Sequence, residues 1–428
     1  MVDYGDGHTH AQNQEESMAF SLFDSKGTAI ENQRVTWRDM VRKPLSKLDD
    51  DAFTRVRVII MNGIELESVR FQHMAARFNR DLRLPLALVR RSENHQATMI
   101  NWLIGADHSP LETTIAYEQV AIELTAAVAQ REPDPYLAQC YRFGLLEDFD
   151  HIYRYSALLD RLEGKDPNNI VQSYTDIVPG RPTWEHHRHP ADDLRTPYDR
   201  STAAMLSKLH ALTITATEQQ THNYYMNVGP LFSDPIARQL YAEIASVEEQ
   251  HVTQYESMMD PAQTWLEQWV LHEANEVYNY YSMVESETNH QIKAIWERFL
   301  DYELGHFHIA AELFQNVEGR DAAELITGPF TDPIELKPQR DFYRQVLINE
   351  VDLRADGPNY VPKDQEPQRS RDYRAMLHSE GEPSGAISAG YVWAPGTELM
   401  HRGAASGATI PTGTMAAAQI PASGITRH

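Results

Sequence analysis

The chain repeats itself at a shift of 155 residues. Under that shift Leu158–Asp166 falls on Leu313–Asp321, His151 on His306, Asp148 on Glu303, Glu118 on Glu273 and Glu93 on Glu248. Leu111 and Glu112 fall on Leu266 and Glu267. A shift that stays constant from Glu93 to Asp166 restricts the fold strongly, because both copies must be versions of one structural unit. Apolar residues recur at the three- and four-residue spacing of helices, clearest over 56–78, 113–129 and 135–162, and strand patterns are scarce. The expected fold class is all-α.

Breakers divide the chain. Residues 1–50 are polar, lack sustained periodicity and read as an N-terminal arm. Residues 51–166 form the first helical copy. Residues 167–203 hold Pro167, Pro179, Pro182, Pro190 and Pro197, with His186, His187 and His189 between them, and read as a linker or long crossover with solvated histidines. Residues 204–325 form the second copy, and 326–428 read as an irregular C-terminal tail, nearly uncharged around Gly403–Gly407.

Inside the second copy, Glu218, Glu248, Glu273 and Glu303 stand out. His251 follows Glu248 by three residues and His306 follows Glu303 by three, so each Glu-x-x-His offers a carboxylate and an imidazole from one helix face. Glu218 to Glu248 and Glu273 to Glu303 each span 30 residues. That length suits a hairpin of two helices, with arms of about 13 residues or ~20 Å. If both acids of a hairpin sit at one height, their midpoint must be a turn. The midpoints fall in Gly229–Pro235, at Asp260-Pro261, at Thr288-Asn289, at Pro133 and at Gly105-Ala106, each on or beside a helix breaker or N-cap signal. The acids therefore belong near helix centres, facing one another.

Four inward carboxylates repel one another unless a cation joins them, and burial adds to the cost. Two divalent ions balance four carboxylates, and two imidazoles complete a mixed nitrogen and oxygen donor set suited to iron or manganese. Composition supports this division of roles. Lys and Arg number 38 against 62 Asp and Glu, a formal net charge of -24, which excludes a basic nucleic-acid footprint and disfavours an anionic membrane. A single cysteine, Cys140, excludes a disulfide framework and any metal site of several cysteines, and reads as a small core residue. No 18-residue apolar run occurs, and Met1–Asp6 is acidic and polar, unlike a targeting leader. The expectation is a cytoplasmic homo-oligomer.

On these residues the chain resembles the ferritin-like superfamily of di-iron and di-manganese carboxylate proteins, which includes rubrerythrins, manganese catalases and bacterial di-iron oxygenases. The resemblance is full over 203–317 and weaker over 51–165. It implies two tandem ferritin-like four-helix bundles with irregular arms. It also implies Glu218, Glu248, His251, Glu273, Glu303 and His306 as ligands of two Fe or Mn ions in the second bundle, with Glu248 and Glu303 bridging. Glu276, one turn beyond Glu273, resembles the extra carboxylate of rubrerythrins. The first copy supplies Glu65, Glu93, Glu118, Asp148 and His151 as further candidates, but Gln96 stands where His251 stands in the second, and Glu65 fits only at a shift of 153. The first bundle is expected to be empty or to hold one metal.

The connection between Glu248 and Glu273 is short for this superfamily, at 25 residues. A different pairing is therefore open. Hairpin 118–151 joined to hairpin 218–251 through the 166–200 crossover gives the set Glu118, Asp148, His151, Glu218, Glu248 and His251. The repeat boundary favours the first pairing. Glu287/His290 and Glu398/His401 share the Glu-x-x-His pattern but lie at a turn and in the tail, without a partner acid. Among Tyr224, Tyr225, Tyr278, Tyr280 and Tyr281, most read as packing, with one available to hydrogen bond to a ligand.

The resemblance implies an oxidoreductase that activates O2 or peroxide beside the metals, acting on a small-molecule substrate that the sequence does not specify. Without a four-cysteine rubredoxin module, electrons come from a separate donor unless the activity is catalase-like. The alternative is a non-catalytic or ferroxidase-type iron-binding protein.

Overall fold

A computed structural model describes residues 20–396; the Gly403–Gly407 stretch, Glu398/His401 and Met1–Asp6 lie outside them. The described residues are mostly helical, with one two-stranded hairpin among them. Its long helices are α1 (Ala52–Phe78), α2 (Arg83–Asn101), α3 (Pro110–Arg131), α4 (Pro135–Glu163), α5 (Met205–Val228), α6 (Pro235–Glu256), α7 (Trp265–Ser286) and α8 (His290–Glu318). The breaks between α3 and α4, between α5 and α6 and between α7 and α8, and those between α2 and α3 and between α6 and α7, fall where the midpoints placed them; the break between α1 and α2 had no midpoint to place it.

The repeat is visible in the caps. Moved by 155 residues, the bounds of α3 become those of α7, and the bounds of α4 become those of α8. Capping boxes Ser109/Glu112 and Thr264/Glu267 start α3 and α7, satisfying the orphan amides of each first turn. Glu112 is also held by Lys47 and Lys165, and Glu267 by Arg200 and Arg320. Gly164 and Gly319 close α4 and α8 at φ of 60° and 70°, a left-handed conformation that costs glycine nothing.

The odd-numbered helices pack together at the centre and the even-numbered ones lie outside them. α3 is buried continuously over Leu111–Ala129, which explains its lack of a polar face. Where α1 crosses α5, Asn62 donates to Gln220 Oε1 at 2.9 Å and Gln220 donates to the Ile59 carbonyl at 2.7 Å. Gly63 permits that approach, since a Cβ there would meet Gln220 Nε2 at 2.7 Å.

The copies do not each close on themselves. Hairpin α3–α4 packs on hairpin α5–α6, and hairpin α1–α2 packs on hairpin α7–α8. The favoured pairing of 218–251 with 273–306 is thereby corrected. The 164–204 connection supplies the reason. It buries Arg181 and Arg188 against Glu147 of α4, while the Arg188 amide donates to Gln250 of α6 at 3.0 Å, tying α6 to α4.

Three further expectations change. The solvated histidine loop is largely interior, with His186 and His187 each 2% exposed. The 1–50 arm, from Phe20 on, packs against the body: Phe20 bridges Phe330, and Leu22 and Leu45 are buried. The tail, up to residue 396, is ordered as α9 (Arg340–Glu350), strands β1 (Leu353–Asp356) and β2 (Asn359–Pro362), α10 (Gln368–Leu377) and α11 (Pro383–Ser388). It is held by buried polar contacts, such as Asp192 with Arg369 and Ser370 and Arg154 with Ser388. Polar, Pro-rich sequence hid this, because the anchoring partners lie far away in the chain. No helix among the described residues is long and apolar enough to cross a membrane.

Candidate metal centres

Two clusters of buried carboxylates and imidazoles form, each at the centre of one pair of hairpins. Cluster A takes Glu118 from α3, Asp148 and His151 from α4, Glu218 from α5, and Glu248 and His251 from α6. Cluster B takes Glu65 from α1, Glu93 from α2, Glu273 and Glu276 from α7, and Glu303 and His306 from α8. The six residues first expected at one centre are thus divided: Glu218, Glu248 and His251 lie in A, and Glu273, Glu303 and His306 in B. Glu118, Asp148 and His151 complete A, and Glu65, Glu93 and Glu276 complete B. The lone glutamates come from central helices. Each outer helix contributes a pair three residues apart, except that α2 places Gln96 at the imidazole position.

In cluster A both imidazoles point Nδ1 inward. His151 Nδ1 lies 3.0 Å from Glu248 Oε1, and His251 Nδ1 lies 3.2 Å from Glu248 Oε2. Glu248 therefore stands between the two histidines. His251 Nδ1 is also 3.5 Å from Glu218 and 3.6 Å from Asp148. On the far side of the ring, Nε2 meets Glu147 at 2.6 Å, and Glu147 is fixed by Arg181 and Arg188. A carboxylate on the outer nitrogen fixes the ring orientation and leaves Nδ1 free to ligate. Glu118 accepts a hydrogen bond from Tyr225.

The electrostatics show strain that a cation relieves. Burial raises the carboxyls of Glu118 and Asp148 well above the usual range, and neighbouring carboxylates add to the effect. Burial pushes Glu218 up to about 7 even with His251 beside it. Glu248 moves the other way, lowered because the two histidines outweigh its burial. His251 is raised well above its ordinary value by its carboxylates, against the cost of burial. At ~1.4 kcal/mol per pKa unit, the displacement of Glu218 from 4.5 to about 7 corresponds to about 3 kcal/mol.

The donor set passes a chemical test for metal. Asp148 Oδ1 and Oδ2, both Glu248 oxygens, Glu218 Oε2, Glu118 Oε2 and the Nδ1 atoms of both histidines are buried without a hydrogen bond of good geometry, although the Nδ1 atoms stand at ion-pair distance from these carboxylates. Such atoms are rare in native interiors unless a ligand satisfies them. Four carboxylates with two imidazoles fit a pair of divalent ions with mixed donors.

Cluster B fits less well. His306 Nδ1 lies 2.9 Å from Glu303 and 3.7 Å from Glu93, and its Nε2 contacts Gln33 Oε1 at 2.9 Å. The N-terminal arm thus reaches this centre. Gln96 Nε2 donates to Glu303 Oε1 at 2.5 Å, and Gln72 donates to Glu93 at 2.7 Å, so amide hydrogens occupy lone pairs that a metal needs. Tyr280 donates to Glu65 and Trp269 to Glu273. Both oxygens of Glu276 remain without a partner. Burial raises Glu65, Glu273 and Glu276 well above the carboxylate range and Glu93 to about 7.

Tyr225 and Tyr280, each seven residues beyond a central glutamate, take the hydrogen-bonding position. Tyr278 instead donates to the Asp332 carbonyl, and Tyr281 stacks on Phe20. Cys140 is buried. Glu287 pairs with Arg57 and accepts from Thr54, outside both clusters. Sequence reasoning missed Glu147, Gln72 and Gln33. None stands at a ligand spacing, and the only available signal for Glu147 was its place beside Asp148. No family model, curated protein or solved structure matches the chain.

Proposed function

We propose that the chain consists of two ferritin-like four-helix units that exchange hairpins, and that cluster A holds two Fe or Mn ions in an oxidoreductase acting with O2 or peroxide. The observation that carries this reading is the convergence of four buried carboxylates and two inward Nδ1 atoms, most of them without a hydrogen bond of good geometry. A metal pair held there supplies two-electron redox chemistry toward O2 or peroxide. Glu118, Asp148, His151, Glu218, Glu248 and His251 would hold it. Glu147, backed by Arg181 and Arg188, keeps the His251 ring in place. Tyr225 orients Glu118, and its hydroxyl is the nearest proton donor to that carboxylate on the facing helix.

Cluster B is the weaker site. Its one histidine and the Gln96 amide suit a single ion at most. One cysteine in these 428 residues makes no multi-cysteine electron carrier, so an oxygenase activity would draw electrons from a donor outside this sequence.

Elemental analysis of the full chain after anaerobic loading with Fe2+ or Mn2+ tests the reading. The expected result is two ions per chain lost on Glu248→Ala, with O2 or peroxide consumption lost in parallel. Failure to take up any metal would refute it. Metal uptake without turnover of O2 or peroxide would leave an iron-binding protein instead.

A further inference from the structure

A third group of ligand-type side chains lies apart from the two clusters. It joins His187 of the 164–204 connection, Glu243 of α6 and His378 just past α10, whose ligand-capable atoms all lie within 4.8 Å of one another. All three line a cavity of about 470 Å³. Its other charged lining residues are Glu380 and Glu382, and none of its described lining residues is Lys or Arg, so the cavity favours a cation.

Each side chain is prepared for ligation. His187 is 2% exposed and neither of its ring nitrogens has a hydrogen-bond partner; Nε2 stands 3.8 Å from Glu243 Oε1. Burial lowers the pKa of this ring and keeps it neutral, the ligating form. His378 places Nε2 at 3.1 Å from the Trp184 carbonyl, an acceptor only, which selects the tautomer with its proton on Nε2 and its lone pair on Nδ1. Glu243 is oriented by the Ser384 amide at 2.7 Å and the Ser384 hydroxyl at 3.0 Å. The rings of His187 and His378 meet edge to face at 5.3 Å between centroids. A buried imidazole with both nitrogens unsatisfied is costly without a ligand.

We propose that His187, Glu243 and His378 bind one borderline divalent cation of the Zn2+ class, with a fourth coordination position open to the cavity. Two histidines and one glutamate with an open position are a donor set Zn2+ accepts at ~2.0–2.2 Å per ligand, reached here by an inward shift of the side chains. The three ligands come from three distant segments. The ion therefore also fastens α10 and α11 to the helical body.

The test uses the full chain, stripped of metal and titrated with Zn2+ against a chromophoric chelator, beside His378→Gln, Glu243→Gln and Glu248→Gln. The third variant separates this site from cluster A. The proposal expects His378→Gln and Glu243→Gln each to lose one equivalent of Zn2+, and Glu248→Gln to keep it. Co2+ in place of Zn2+ should give the visible bands of four-coordinate Co2+ in the wild type and in Glu248→Gln, and lose them in the other two. Equal stoichiometry in the wild type and in His378→Gln would overturn the proposal. So would loss of the equivalent in Glu248→Gln alone. Glu243→Gln retains a carbonyl oxygen for Ser384, so it reports on the site even if His378→Gln folds poorly.

Discussion

Metal uptake at cluster A should expel protons. Burial raises the carboxyls of Glu118 and Asp148 well above the usual carboxylate range, which favours their protonated forms in the metal-free protein. The His251 ring is raised well above its ordinary value by Glu218, Glu147 and Glu248 around it, against the cost of burial, which likewise favours its protonated form. Glu218, at about 7, holds about half a proton. A metal must replace each of these, since a ligand atom cannot carry a proton and a metal on the same lone pair. His251 keeps its Nε2 hydrogen on Glu147 and gives up the one on Nδ1. Loading therefore releases protons, about half of one from Glu218 at pH 7 and more from the other raised groups. Loading should tighten as pH rises from 6.5 to 7.5, by about 3-fold or ~0.7 kcal/mol from Glu218 alone, and by more as the other groups add to it. Anaerobic calorimetry with Mn2+ in two buffers of different ionisation enthalpy counts the protons directly. Release of no proton at pH 7 would refute the reasoning, because it would mean that the cluster is already ionised without metal.

Other consequences can be measured on the same material. In the metal-free protein, burial raises the carboxyls of Glu65, Glu118, Asp148, Glu273 and Glu276 well above the usual carboxylate range, and those of Glu93 and Glu218 to about 7, so they keep protons that their unfolded forms lose near pH 4. Folding therefore binds protons above that pH, and stability should fall as pH rises from 5 to 7, while the loaded protein changes less. A chemical-denaturation midpoint that is level or rising over that range contradicts this. Gln96→His replaces an amide hydrogen aimed at Glu303 with a ring nitrogen, so bound metal at cluster B should increase, as read by elemental analysis in a Glu248→Ala background that has lost cluster A. Glu147→Gln should weaken metal binding at cluster A by about 10- to 100-fold, because His251 loses its charged outer partner, and should also lower stability, because buried Arg181 and Arg188 lose the carboxylate they share. Unchanged affinity would show that Arg181 and Arg188 serve only the fold.

The sequence alone determined the all-α class, the helix breaks, the repeat and the identity of most residues in both clusters. These are local properties. Apolar spacing sets a helix, Ser-Pro and Asp-Pro caps start one, and the chain distance between two acids fixes whether they share a height in a hairpin. Such signals lie within about thirty residues and survive in the one-dimensional string. Tertiary structure alone decided which hairpins meet. Both pairings offered two Glu-x-x-His-like helices and two lone glutamates, so ligand spacing could not separate them. The choice was made by Arg181 and Arg188 on Glu147, and by the packing of α1 on α5 and α7, contacts between residues far apart in the chain. The same holds for Gln33 at His306, for the buried histidines of the connection and for the ordered segment up to residue 396. In each case burial is conferred by a distant partner, and a polar stretch reads as solvated until that partner is in place.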